Sequence, residues 1–243
     1  MKISAFLFTL LVAAAFLAGA CSKQGGGTQQ EVGKIRNESE SVDPRNARSV
    51  RAEFKMGAGE MNLTGGADQL MEADFSYNVA EWKPEVSYDV SGDEGKLVVK
   101  QGGSGGSNLT GEARNEWEVR LNDELPTDLV VQLGAGESDL DLDSIALSGL
   151  KLQMGAGKTR VDLTGDYAKS LNASIQGGVG EATVELPSEV GVKAKAQGGL
   201  GTINAEGLER VGDSYVNDSY GESDVTLNVE VQGGVGEINL KVV

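Results

Sequence analysis

The feature that most constrains this chain is a short glycine motif that recurs six times. The copies read Phe54-Lys-Met-Gly-Ala-Gly-Glu-Met-Asn-Leu63, Val131-Gln-Leu-Gly-Ala-Gly-Glu-Ser-Asp-Leu140, Leu152-Gln-Met-Gly-Ala-Gly-Lys-Thr-Arg-Val161, Ile175-Gln-Gly-Gly-Val-Gly-Glu-Ala-Thr-Val184, Ala196-Gln-Gly-Gly-Leu-Gly-Thr-Ile-Asn-Ala205 and Val231-Gln-Gly-Gly-Val-Gly-Glu-Ile-Asn-Leu240. Their first glycines fall at 57, 134, 155, 178, 199 and 234, so the steps after 134 are 21, 23, 21 and 35 residues. A fixed period near 20 residues marks a repeat architecture, in which each unit buries its apolar face against the next.

Around each motif apolar and small residues alternate with polar ones, the period of a strand with one buried face. The alternation slips by one residue beside the second glycine. Leu150, Leu152, Met154 and Ala156 are followed by Thr159, Val161 and Leu163; Val229, Val231, Gly233 and Val235 are followed by Ile238, Leu240 and Val242. A slip that always falls at glycine marks a corner, where the chain takes a conformation glycine tolerates best. Strand, glycine corner and strand predict an all-β, single-domain parallel β-solenoid over residues 47–243, with about nine coils of ~21 residues and no amphipathic helix. The long final step is read as one period plus an insertion at 208–224, which is rich in turn formers. Alternating runs at 75–79, 86–90, 96–99 and 117–121 are expected strands, and 102–106 is expected to be a loop.

The copies also predict packing. Three pair a large residue before the corner with a small one in it (Met56/Ala58, Leu133/Ala135, Met154/Ala156). The other three reverse the sizes (Gly177/Val179, Gly198/Leu200, Gly233/Val235). That exchange predicts stacked coils filling one corner at constant volume. If sequential coils are neighbours, Lys158 lies between Glu137 and Glu181, and Arg160 beside Asp139, relieving a column of carboxylates. The last copy runs to Val243, so its edge needs the insertion, the N-terminal segment or a second molecule to cover it; end-to-end pairing of copies is the expected homo-oligomer.

Several function classes fall away. Met154-Gly-Ala-Gly-Lys-Thr159 resembles the end of a phosphate-binding loop, but Leu152 stands where that loop needs glycine, and a strand rather than a helix follows. The net charge is −16, which disfavours nucleic acid as a partner. There is no His and a single Cys, so the usual general base and the usual zinc or copper ligands are lacking; no metal, no cofactor and no catalytic residues are expected, and the protein is read as not an enzyme. Asp139-Leu-Asp-Leu-Asp143 puts three carboxylates on one outer face, with Asp162 and Glu185 on adjacent coils. Calcium uses such oxygen clusters, but no ligand loop closes around this one, so it is read as a solvated acidic face. Trp82 and Trp117 fall in expected strands and are read as core or rim.

Lys2 precedes an apolar run at 3–17, and small residues lead to Cys21, the order of a signal peptide over residues 1–21. Leu17-Ala-Gly-Ala-Cys21 resembles the lipobox of bacterial lipoproteins, with Ala18 in place of the usual residue at minus three. The resemblance implies cleavage before Cys21 and lipid attachment to its sulfur. The one Cys can form no intramolecular disulfide. Residues 22–46, polar and rich in glycine at their start, are read as a flexible tether. Ser22 after the cysteine resembles the outer-membrane default in diderm bacteria.

Two further segments carry a family resemblance. Leu70-Met-Glu-Ala-Asp-Phe-Ser-Tyr-Asn with Trp82-Lys-Pro-Glu-Val, and Asn115-Glu-Trp-Glu-Val-Arg-Leu-Asn running on to Leu133-Gly-Ala-Gly-Glu-Ser, resemble the toast-rack N-terminal domain family. The Gly-Gly-Val-Gly-Glu copies resemble related adhesin-type repeats. The resemblance covers most of residues 50–243 and implies an all-β, solenoid-like domain outside the cytoplasm, with envelope stress as one context and no catalytic residues to carry over. The expected function is that of a non-enzymatic, lipid-anchored protein of the bacterial cell envelope: a scaffold, adhesin or envelope-stress sensor. Its partners would be the membrane, through Cys21, and an envelope protein or polysaccharide. The alternative is a calcium-dependent β-helix that binds or cleaves polysaccharide.

Overall fold

The computed structural model describes residues 30–103 and 109–243. The expected signal peptide, Cys21, residues 22–29 of the tether and residues 104–106 of the loop lie outside the described residues. The strands in chain order are β1 (Gln30–Glu31), β2 (Arg36–Val42), β3 (Ser49–Thr64), β4 (Met71–Tyr77), β5 (Pro84–Ser91), β6 (Glu94–Gln101), β7 (Leu109–Thr110), β8 (Asn115–Leu121), β9 (Thr127–Asp141), β10 (Leu147–Asp162), β11 (Leu171–Leu186), β12 (Gly191–Glu206), β13 (Glu209–Val211), β14 (Ser214–Val216) and β15 (Thr226–Val242). The only helical element among the described residues is a single 3-10 turn, Ala80–Trp82. The all-β, repeat-built fold read from the sequence is the fold observed.

Each motif copy lies in one long strand that bends at its glycines, so β3, β9, β10, β11, β12 and β15 each have a first arm, a corner and a second arm. Corner stacks on corner in parallel register: Ala58 beside Ala135, Ala135 beside Ala156, Ala156 beside Val179, Val179 beside Val235, Val235 beside Leu200. The second glycine of every copy has φ between 134° and 145°. The two arms enclose the core. In β9, Leu129, Val131 and Leu133 of the first arm face inward with Leu140 of the second, all buried.

Four expectations change. The first is neighbour order. The sheet runs β12-β15-β11-β10-β9-β3, so the last strand is inserted between β11 and β12. The edge left at that end belongs to β12, not to the final repeat. The insertion at 208–224 supplies the β13–β14 hairpin, which pairs only Lys193 and Ala194 of β12. Buried Asn217 pins it: its side-chain amide donates to Val190 O at 2.8 Å and Pro187 O at 3.1 Å, and its Oδ1 accepts from Val192 N at 2.8 Å.

The second is the coil count. Six bent strands stack; beyond them β6 and β8 still pair with β3 in parallel, and the strands that follow, β5, β4 and β2, add on antiparallel. Beyond β3 the arms part company, the first continuing into β6 and β5 and the second into β8, β4 and β2. Trp117 and Phe75 meet edge to face inside this end, with ring centroids 5.3 Å apart, and Trp82 is also buried. The third is the tether. Residues 36–42 are not a free segment but a strand, paired to β4 over its whole length. Composition misses it because almost no apolar burial holds it. The backbone ladder does, with polar cross-strand pairs: Tyr77 OH donates to Glu38 at 2.7 Å, and Lys83 lies 2.9 Å from the same carboxylate.

The fourth is the volume exchange. The corner residues do not fill the core; Val179, Leu200 and Val235 are 57%, 73% and 47% exposed. Compensation runs between the arms instead. A Cβ on Gly198 would meet Ile203 Cδ1 at 3.9 Å and Gly233 likewise faces Ile238, small with large, while β9 and β10 bury Leu133 with Ser138 and Met154 with Thr159 at the equivalent positions. A Cβ on Gly233 would lie 3.2 Å from Ile238 Cδ1, so the isoleucine occupies the space the glycine leaves. Gly177 with Ala182 is small on both sides. A cavity of about 40 Å³ lies there, lined by Met154, Ile175, Gly177, Val179, Ala182 and Ile238.

Candidate interaction surface

The stacked register turns each outward position into a column of side chains. The first to form is a glutamine ladder, which sequence reading passed over although Gln precedes the glycines in five of the six copies. Gln132, Gln153, Gln176, Gln232 and Gln197 stand side by side on β9, β10, β11, β15 and β12. Gln132 Nε2 donates to Gln153 Oε1 at 3.1 Å, and Gln153 Nε2 to Gln176 Oε1 at 3.2 Å. Identical amides one strand apart satisfy each other along the stack, as in cross-β ladders.

On the second arm the column after the corner reads Glu116, Glu60, Glu137, Lys158, Glu181, Glu237, Thr202 across the sheet. Lys158 sits between Glu137 and Glu181 as expected, but makes no ion pair within 4.0 Å among the described residues. Arg160 in the next column does. It donates to Asp139 and Asp162, each at 3.0 Å, and to Glu185, joining β9, β10 and β11. Burial alone would lower its pKa; the bonds to Glu185 and Asp139 outweigh burial and raise it. Asp162 is pushed up by burial but held below the usual carboxylate range overall, by the Thr164 hydroxyl and amide and by Arg160.

Of the acidic run, Asp139 and Asp143 are exposed and Asp141 is half-buried. Asp141 Oδ1 has no hydrogen-bond partner, and burial, with Asp143 and Asp162 nearby, raises its pKa. Among the described residues no three His, Cys, Asp or Glu side chains come together as metal ligands. As expected, Asp162 and Glu185 continue the acidic column on the next two strands, Asp162 in register with Asp141 and Glu185 with Asp162, and both also bond Arg160. No described helix is long and apolar enough to cross a membrane.

The two ends of the glycine stack differ. At the β3 end, side chains close the corner. Gln101 Oε1 accepts from Gly57 N at 2.8 Å and Ala58 N at 3.3 Å. Asn115 Nδ2 donates to Ala58 O at 2.8 Å, and Trp117 Nε1 holds Asn115 Oδ1 at 3.0 Å. At the β12 end, residues 195–206 pair with β15 on one side, and among the described residues no strand pairs them on the other. The apolar strip Val179, Val235, Leu200 runs to that open edge and ends on it.

Comparisons with known proteins match this geometry. The family model described as "N-terminal domain of toast_rack" matches residues 31–185. A crystal structure of a "putative cell adhesion protein" from Clostridium sporogenes is 39% identical, covers 86% of this chain and 100% of its own, and superposes with a TM-score of 0.84. Adhesins from Bacteroides fragilis and Parabacteroides merdae, also described as "putative", match at 8% and 12% identity over 88% of this chain and 99% of theirs; their TM-scores of 0.30 and 0.26 carry no argument. No curated protein matches the sequence.

Proposed function

We propose a role for this chain from one premise: it belongs to the toast_rack N-terminal domain family. The role is that of a non-enzymatic, adhesin-type protein of the bacterial cell envelope, held outside the cytoplasm by a lipid on Cys21. The observation that carries the reading is the likeness, at 39% identity over 86% of the chain, to a protein described as a cell adhesion protein. The physical character of the surface supports it. The outer faces set polar side chains in columns at the strand spacing of roughly 4.8 Å, one of them glutamine on five successive strands, which suits an extended binding surface better than a convergent reactive centre. Some polar groups of those columns bond to one another, as in the glutamine ladder and around Arg160. A signal sequence with a lipidated cysteine would set the domain at the membrane surface through the N-terminal end of the chain.

The test uses cells that lack the protein, complemented with the wild-type chain or with Cys21→Ala. Membrane fractionation and attachment of the cells to each other and to surfaces are measured. Wild type is expected in the membrane fraction and to restore attachment; Cys21→Ala is expected in the soluble extracytoplasmic fraction, with attachment reduced. Attachment that is the same with and without the protein would remove the adhesive reading, and a Cys21→Ala chain that still fractionates with membranes would remove the lipid anchor.

A further inference from the structure

We infer that the open edge of β12 is a docking site for a second copy of this chain, which pairs with it antiparallel about a two-fold axis between Leu200 and Gly201. The inference stands apart from the adhesive reading, since it rests on the chemistry of one strand.

Free sheet edges invite pairing, and proteins normally blunt them with charge, proline or a covering segment. Two other edges here are blunted. β2 carries Arg36, Glu38 and Glu40; β5 begins at Pro84 and carries Glu85 and Asp89. Between Lys195 and Glu206 the β12 edge has ten consecutive residues without charge or proline, Ala196-Gln-Gly-Gly-Leu-Gly-Thr-Ile-Asn-Ala205. The copy that sits on the edge is also the one that lost its charge. The position after the corner is Glu60, Glu137, Lys158, Glu181 and Glu237 elsewhere, and Thr202 here. Leu200, 73% exposed, is the most exposed large apolar side chain among the described residues, and it lies at the centre of this run.

The register follows from the alternation. A second bent strand turned over onto the first sets first arm on second arm. For the cores to meet, inward residues must oppose inward ones, and outward ones must oppose outward ones. Ala196 and Gly198 face inward on the first arm, and Ile203 and Ala205 on the second. Placing the axis between Leu200 and Gly201 opposes Ala196 to Ala205 and Gly198 to Ile203, the same small-with-large match that packs the interior between arms. It opposes Gln197 to Asn204, and Lys195 to Glu206, an opposite-charge pair formed twice by symmetry. All of residues 195–206 are then paired. The neighbouring in-phase register would bring Glu206 opposite Lys193, whose backbone is already engaged by Val216 of the hairpin. The hairpin thus stops where the self-complementary run begins. In the monomer Lys195 lies 2.8 Å from Asp213, so the cation is held at the rim of the edge.

The experiment uses the purified chain carrying Cys21→Ala, so that no lipid drives association, with mass followed by sedimentation at micromolar concentrations. A concentration-dependent dimer is expected. Thr202→Lys is expected to weaken it at least about tenfold, because two ammonium groups enter the interface. The monomer has no reason to suffer from this change, since the introduced ammonium would stand in register with Glu237, and lysine is native to the same column at Lys158. Lys195→Glu and Glu206→Lys are each expected to be monomeric alone, because each homodimer would oppose like charges. Mixed in equal amounts they are expected to restore a heterodimer, because one chain then carries two acids and the other two bases, and both 195/206 pairs oppose unlike charges. A wild-type chain that stays monomeric, a dimer that Thr202→Lys leaves intact, or two charge variants that fail to complement would overturn the inference.

Discussion

Gly136 shows what the corner asks of a residue. Its φ is +134°, and an added Cβ would overlap the carbonyl oxygen of Gly59 on the neighbouring strand. The requirement is double: a backbone region that L side chains avoid, and a stacking distance that leaves no room for one. Gly136→Ala is expected to cost about 3 kcal/mol or more by denaturant titration, whereas Gly212→Ala, at φ +65° with open space around it, is expected to cost only about 1 kcal/mol. Similar losses at the two sites would mean the stack yields easily. Asp141 is the opposite kind of residue, tolerated rather than required. Its folded pKa is raised, by burial first and then by Asp143. The folded state therefore holds its proton more tightly than the unfolded chain does. That contribution favours folding below the usual carboxylate range and is lost as pH rises through the raised pKa, which leaves a cost at neutral pH. Asp141→Asn is expected to raise the melting temperature slightly at pH 7 and to narrow the gap between variant and wild type at acid pH. A variant less stable than wild type at pH 7 would show that the carboxylate has a partner worth keeping.

At the scale of the strand, one change tests the packing rule directly. Ala182 shares its register with Ile238, and the equivalent position in β12 is Ile203, yet the cavity at Gly177 and Ala182 is unfilled. Ala182→Ile is expected to stabilise the chain by roughly 1 kcal/mol, read as a shift in the denaturation midpoint at unchanged slope. A loss instead would mean the cavity is too shallow for the added methyl groups. The long strands themselves were legible: alternation gave the buried face, and the slip at glycine gave the bend. The arm-to-arm compensation was not, because period 2 tells which residues point inward but not which of them face one another. The neighbour order had a signal that went unused. Where the other second arms have Leu63, Leu140, Val161, Val184 and Leu240, β12 has Ala205, and it also has Thr202 in place of a charge. The strand with least to bury is the one left at the edge. Residues 36–42 gave no such sign, since strands held by backbone pairing and polar contacts look like linker by composition. For the candidate surface, the charge columns around Arg160 could be read from spacing, while the glutamine ladder was visible in the motif and needed only the register to acquire meaning.

For the whole molecule, the insertion of β15 between β11 and β12 has a consequence for how the stack closes. The chain passes from β11 to β12 through only residues 187–190, leaving a slot one strand wide that the last strand fills. Yet β11 and β12 carry their corners 21 residues apart, the same step as β9 to β10, which are direct neighbours. Until β15 is available, the sequential pairing of β12 with β11 is open to the chain, with Gly198 beside Gly177 and Ala205 beside Val184. The stack is nearly one-dimensional, so its stability is close to a sum of neighbour contacts, and losing one strand need not unfold the rest. In the chain, β15 displaces that arrangement because Ile238 and Leu240, both buried, fill the core better than Ile203 and Ala205, which stay partly exposed. A chain ending at residue 224 is therefore expected to keep its fold with β12 moved one place inward. Hydrogen exchange should find β9 and β10 protected as in the full chain, and β12 still protected, though less. Its amides exchanging at unprotected rates would mean that β12 depends on β15 for its structure, and that the open edge exists only once the last strand has been placed.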